Sequence, residues 1–203
     1  MRAAGALLAL VLAPAAAALA ALTPPPAPGP LGAEGVPIPQ VKPLALPQPL
    51  ARGQKIDGIP CERIEKLAFH IHAHLAIFVN GTQRQVPFGI GIGPPLRGQN
   101  FPAGPFVTSG SCFAWLHTHQ ADGIIHMEAP KQVSFTLGEF FDIWGQKLSA
   151  TRVGPARGKV TALVNGKMRA GDPRAIALRK HEQIQLDVGS PVVGPQRISF
   201  AQL

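Results

Sequence analysis

Tyrosine is absent from the chain, charged residues make up only 15% of it, and its 203 residues include just two cysteines and two tryptophans. With 46% hydrophobic residues beside so little charge, a wholly disordered, highly charged chain is excluded. The 19 lysines and arginines stand as singles and pairs, with no run of five and no interleaved aromatics on which bases could stack. The formal charge of +8 is therefore diffuse, and no nucleic-acid partner is expected. P-loop, Gly-x-Ser-x-Gly and dinucleotide fingerprints are all missing.

Proline and glycine, in contrast, are plentiful at 22 each. Part of the excess belongs to the N-terminal region. Met1-Arg2 is a short positive start, Ala3 to Leu12 is small and apolar throughout, and Ala18-Leu19-Ala20 is an A-x-A site, so residues 1–20 read as a secretory signal peptide. The expected location is outside the cytoplasm: periplasm, cell surface or extracellular. No cysteine follows the apolar run, which argues against a bacterial lipoprotein. Left uncleaved, the uncharged stretch Ala3 to Leu22 would be about long enough to tether the chain to a membrane. From Thr23 to Leu50, ten of 28 residues are proline, which predicts a disordered, extended linker over 21–53. A single domain is expected over 54–203, a normal size for one core.

Both cysteines, Cys61 and Cys112, fall in that domain. In an exported protein an even count suggests a disulfide; the alternatives are a soft metal ligand at Cys112, five residues before His117, or two buried thiols.

Six of the seven histidines fall into two clusters. Across Phe69–Val79 apolar residues occupy every odd position, and His70, His72 and His74 alternate with them. A period of two puts Phe69, Ile71, Leu75, Ile77 and Val79 on the core face of a strand and the three imidazoles on the other. Asn80-Gly81 then signals a hairpin, with a return strand from Arg84 to Phe88. In the second cluster Phe113, Trp115, His117 and His119 share one strand face. After a turn at Ala121-Asp122-Gly123, so do Ile124, His126 and Glu128.

H-x-H-x-H facing H-x-H-x6-H is what imidazole ligation from adjacent strands looks like. At ~3.3 Å per residue, His70 and His74 are too far apart to share one ion, whereas neighbours two residues apart converge. One ion would therefore take two of His70, His72 and His74 with one or two of His117, His119 and His126. The remaining histidines would support those ligands or hold a second ion. Asp122 and Glu128 are the candidate carboxylates, to orient a ligand or to act as a catalytic base. Met127 alternates away from His126, so no blue-copper set is evident, and copper and zinc lead as the expected metals. His181 precedes an alternating strand and reads as a surface residue.

His117-Thr-His-Gln-Ala-Asp122 approaches the H-x-H-x-D pattern of metallo-β-lactamase-like hydrolases, but its aspartate is one residue late. Some 150 residues are too few for an amidohydrolase barrel, and the glutamate that cupins place after H-x-H is missing. The motifs His70-Ile-His-Ala-His-Leu75, Trp115-Leu-His-Thr-His119, Gly123-Ile-Ile-His126 and Phe135-Thr-Leu-Gly-Glu-Phe-Phe-Asp-Ile-Trp-Gly145 resemble those of a family of exported, functionally uncharacterised prokaryotic proteins. The resemblance covers about residues 57–203 and implies no particular activity. In those proteins an aspartate often follows H-T-H, where this chain has Gln120.

Thr136-Leu-Gly-Glu139 forms a capping box, and Leu137, Phe140, Phe141 and Trp144 follow helical spacing, so a short helix is expected from Thr136 to about Gly145. A second is expected at Glu62 to Leu67. Asn165-Gly166 marks another hairpin, and strands are expected at Gln183 to Val188 and Arg197 to Phe200. The fold class is mainly β, with antiparallel sheets arranged as a sandwich, barrel or grasp-like sheet and one or two short helices. Functionally, the sequence suggests an exported metal-binding protein for storage, transfer or sensing. The other readings are an extracytoplasmic metalloenzyme, hydrolytic or oxidative, and a metal-free envelope interaction module with a pH-sensitive histidine face.

Overall fold

A computed structural model describes residues 22–203; the expected signal peptide, and the tether it would form if retained, lie outside the described residues. The protein is mainly β, as its alternating patterns imply. Its main sheet has seven strands: β1 (Phe69–Val79), β2 (Thr82–Arg84), β3 (Leu116–His117), β4 (Ile124–Ala129), β5 (Val160–Val164), β6 (Lys167–Arg169) and β7 (Gln183–Val188). Their order is β6-β5-β7-β1-β4-β3, with β2 paired to the end of β1. Only the β7–β1 pairing is parallel. Parallel neighbours need a long connection, and between β1 and β7 the chain builds most of the rest of the domain. Among the described residues no helix is long and apolar enough to cross a membrane.

Alternation sorts the two faces of the sheet. Ala73, Leu75 and Ile77 of β1, with Ile125 and Met127 of β4, point into the main core and meet helix α1 (Leu137–Trp144) through Phe140, Phe141 and Trp144. The helix begins and ends as expected. Thr136 Oγ1 accepts from the Glu139 amide, the Glu139 carboxylate accepts from the Thr136 amide, and Gly145 closes the helix at φ 78°, a left-handed conformation that glycine adopts without strain.

A four-stranded second sheet contains Ile59–Glu62 and Cys112–Ala114, and the Cys61–Cys112 disulfide forms across this pair with Cα atoms 5.3 Å apart. Among the described residues no cysteine is free, which removes Cys112 as a metal ligand. Such a bond fits an oxidising environment.

The structure differs most from expectation in the proline-rich segment. Residues 22–50 run as a strap across the domain and are not an extended spacer. Val36 and Ile38 are 0% and 1% exposed, and Leu44 and Leu50 enter the main core. Prolines lack an amide proton and lose little backbone freedom on ordering, so a strap needs few partners for its backbone. Those it needs are present: Thr23 pairs with Val193, the Leu44 amide donates to Gln85 O, and Gln48 caps the end of α1 by donating to Asp142 O and Ile143 O.

Three smaller expectations are also corrected. The return strand β2 stops at Arg84, because Pro87 follows and the Gln85 carbonyl is taken by the strap. Glu62 ends the strand Ile59–Glu62, and residues 63–67 form an irregular loop and no helix. Arg197 to Phe200 is irregular and is held beside β7 by side chains: the Gln196 and Ile198 amides donate to Gln185 and Gln183.

Two measurements test this account. Replacing both cysteines by serine removes the closure of a loop of 51 residues, and urea titration is expected to show a loss of about 4 kcal/mol. Ile38→Ala is expected to cost about 2–4 kcal/mol in the same assay, whereas a free tether would lose nothing.

Candidate metal centre

Register brings the histidines together. On the face opposite the main core, His126 of β4 pairs with His72 of β1 on one side and with His117 of β3 on the other, and Glu128 pairs with His70. The ligand atoms of His117, His119, His126 and Glu128 all lie within 4.8 Å of one another, as do those of His70, His72 and His126. His70 is exposed, and the other five of these residues are buried. Buried His/Glu clusters of this kind can hold a metal ion.

Backbone carbonyls set the state of two of the imidazoles. His117 Nδ1 lies 2.9 Å from Ala114 O, and His119 Nδ1 lies 2.6 Å from Val107 O. A carbonyl can only accept, so each Nδ1 carries the ring proton. Burial first, and then the neighbouring imidazoles, push both rings well down from the ordinary histidine pKa, His119 to about 4, so both are neutral near pH 7. Their two Nε2 lone pairs therefore face each other at 3.0 Å, with no proton between them. Two nitrogens bound to one tetrahedral ion at ~2.0–2.1 Å would be about 3.3 Å apart. The pair has the spacing of ligands, and fixing of the far nitrogen by a carbonyl is the usual support for a metal-bound imidazole.

His126 sits between the clusters. Its Nδ1 is 3.2 Å from His72 Nε2 and 3.5 Å from Glu128 Oε1, and its Nε2 is 3.0 Å from Glu34 Oε1. Burial alone would lower its pKa, but Glu128 and Glu34 outweigh burial and raise it to about 9. His126 is therefore charged near pH 7. Satisfaction is still incomplete: Glu34 Oε2, His126 Nε2, Glu128 Oε2 and Asp122 Oδ2 are buried without a hydrogen-bond partner, the contact from His126 Nε2 to Glu34 being short but off-axis. Orphaned atoms gathered at one place suit a site built for a further occupant.

Two acidic residues join that were not legible in the sequence. Glu34 arrives on the strap, at the tip of a tight loop where Leu31 bridges to Pro37; Gln120 pins the loop by accepting from the Ala33 amide. This is the position where an aspartate was expected by resemblance. Glu65 comes from the irregular loop found in place of the expected helix, and its Oε1 is 3.5 Å from His119 Nε2 and 3.9 Å from His117 Nε2.

Other expected site residues take structural places. His74 Nε2 donates to Asp122 O at 3.1 Å, and Asp122 Oδ1 accepts from the Ile124 amide, so both shape the turn into β4. Burial, then the nearby Glu34 carboxylate, raise Asp122 to about 7. His181 is exposed and stacks on Phe200 at 4.6 Å, as a surface residue should.

No protein-family model matches the chain, and no curated protein or solved structure matches it.

In metal-free protein, stability is expected to peak near neutral pH. His72 is pushed down to about 3, and His74 and His119 to about 4, chiefly by burial, and His117 is pushed down as well. Unfolding lets these four imidazoles take up protons below about 6.5, so stability falls as pH drops from there toward 4. The raised carboxyls of Asp122, Glu65, Asp57 and Asp187 oppose the trend, and the lowered ones of Glu34 and Asp142 add to it. His126, raised to about 9, contributes stability that is full below about 6.5 and lost as pH rises through 9. Chelator-treated protein melted across pH 4–10 should show both arms.

Proposed function

We propose that the protein is an exported metal-binding protein that holds a transition metal through its histidine clusters, for storage, transfer or sensing. The observation that carries this reading is the pair of neutral imidazoles, His117 and His119, whose lone pairs meet at 3.0 Å while backbone carbonyls hold their far nitrogens. In a metal-free fold such a contact is repulsive and would relax; around a cation it is attractive. His126 and Glu128 complete a four-ligand set.

The donors favour a divalent ion. Both sulfurs are tied up in the disulfide, and the remaining donors are imidazole nitrogens and carboxylate oxygens, a set that suits Cu(II) and Zn(II). Copper leads because it stands highest in the affinity order for such ligands. Export is supported by the N-terminal sequence and by a disulfide suited to an oxidising compartment.

Metal analysis of protein purified from an oxidising compartment, followed by Cu(II) and Zn(II) titration, tests the reading. Stoichiometric metal is expected, with stabilisation of about 3 kcal/mol at a hundredfold excess over Kd. His117→Ala should lower occupancy by about tenfold or more, and His181→Ala should leave it unchanged. Absence of metal together with an unmoved melting temperature would refute the function. Because His126 must give up its proton to coordinate, metal uptake near pH 7 should release about one proton per chain, readable in weakly buffered solution.

A further inference from the structure

We propose that the centre holds two ions, bridged by the Glu128 carboxylate; this rests on the metal-binding reading above and adds to it. Seven donor groups converge here: His70, His72, His117, His119, His126, Glu65 and Glu128. An ion such as zinc takes four ligands, five at most. A single ion at His117, His119, His126 and Glu128 would leave His70, His72 and Glu65 unused.

The donors divide into two compact sets. In the first, His117 Nε2 and His119 Nε2 are 3.0 Å apart, with Glu65 Oε1 at 3.9 and 3.5 Å from them. The second is His70, His72 and His126, with His72 Nε2 and His126 Nδ1 3.2 Å apart. Glu65 therefore stands where it can complete the first set once His126 serves the second. Each set offers three donors and needs a fourth.

Glu128 lies between the sets and reaches both. Its Oε1 is 3.1 Å from His70 Nε2, 3.5 Å from His126 Nδ1 and 3.8 Å from His117 Nε2, and its Oε2 is buried without a partner. The backbone puts it there, because β4 is the strand between β1, which carries His70 and His72, and β3, which carries His117. A carboxylate with one oxygen facing both sets and the other free is placed to bridge two ions ~3.5–4 Å apart. Charge agrees as well. Three carboxylates, Glu34, Glu65 and Glu128, face this one space, more negative charge than a single divalent ion balances.

Cu(II) titration of the full mature protein, read by metal analysis and electron paramagnetic resonance, tests the proposal. Uptake should saturate at about two ions per chain, and the resonance intensity per copper should fall as the second position fills, because carboxylate-bridged Cu(II) ions couple magnetically. His72→Ala, and independently the exposed His70→Ala, should each halve the stoichiometry and restore the full signal of an isolated ion. Saturation at one ion overturns the bridged pair and leaves metal binding standing, whereas no ion at all overturns both. Two ions with undiminished resonance intensity, or two retained in both variants, would show separate adventitious sites and also overturn it.

Discussion

Two backbone carbonyls decide the chemistry of the centre. Ala114 O and Val107 O each take the Nδ1 proton of a histidine, and this turns both Nε2 lone pairs toward one point. Everything around that point is arranged by this constraint. Val107 lies on a hairpin whose Phe106 stacks on the His119 ring at 5.1 Å, and Ala114 ends a strand tied by the disulfide to its neighbour. The imidazoles are thus locked from behind by elements of the second sheet and the hairpin, while the main sheet supplies the opposing His126 and Glu128.

Burial of the histidine face depends on the strap and the C-terminal segment. A sheet face carrying His72, His74, Ala76 and Phe78 has polar and apolar positions side by side, and the cover has to serve both. Phe78 and Ala76 pack against Val193, and Glu34 meets His126. Burial keeps His72, His117 and His119 unprotonated at neutral pH, whereas His126, held between Glu34 and Glu128, keeps its charge.

Periodicity made the main sheet readable. The facing of His70, His72, His117, His126 and Glu128 follows from alternation alone, as do the two Asn-Gly hairpins, and the capping box located α1 to within a residue. What escaped was carried by segments without a period. Glu34 lies among prolines, where composition suggested a spacer although Val36 and Ile38 on the same stretch are core residues. Glu65 lies in an irregular loop where a helix was expected, next to Glu62, whose carboxylate accepts from Trp115 Nε1. Both acidic residues meet the histidines over long sequence separations, which no local pattern encodes. His74 and Asp122 were legible as polar neighbours of the cluster, but their partnering through the Asp122 carbonyl could be seen only in three dimensions.

The strap also ties the two ends of the described chain together. It is the earliest of the described segments in the chain, yet the surface it lies on is made from later ones: Thr23 pairs beside Val193, past the end of β7, and Gly35 packs against the side chain of Gln202. That surface does not exist until nearly the whole chain is in place. The strap therefore completes its contacts only against both ends of the fold, with Leu44 and Leu50 in the main core and Thr23 and Gly35 on the C-terminal segment.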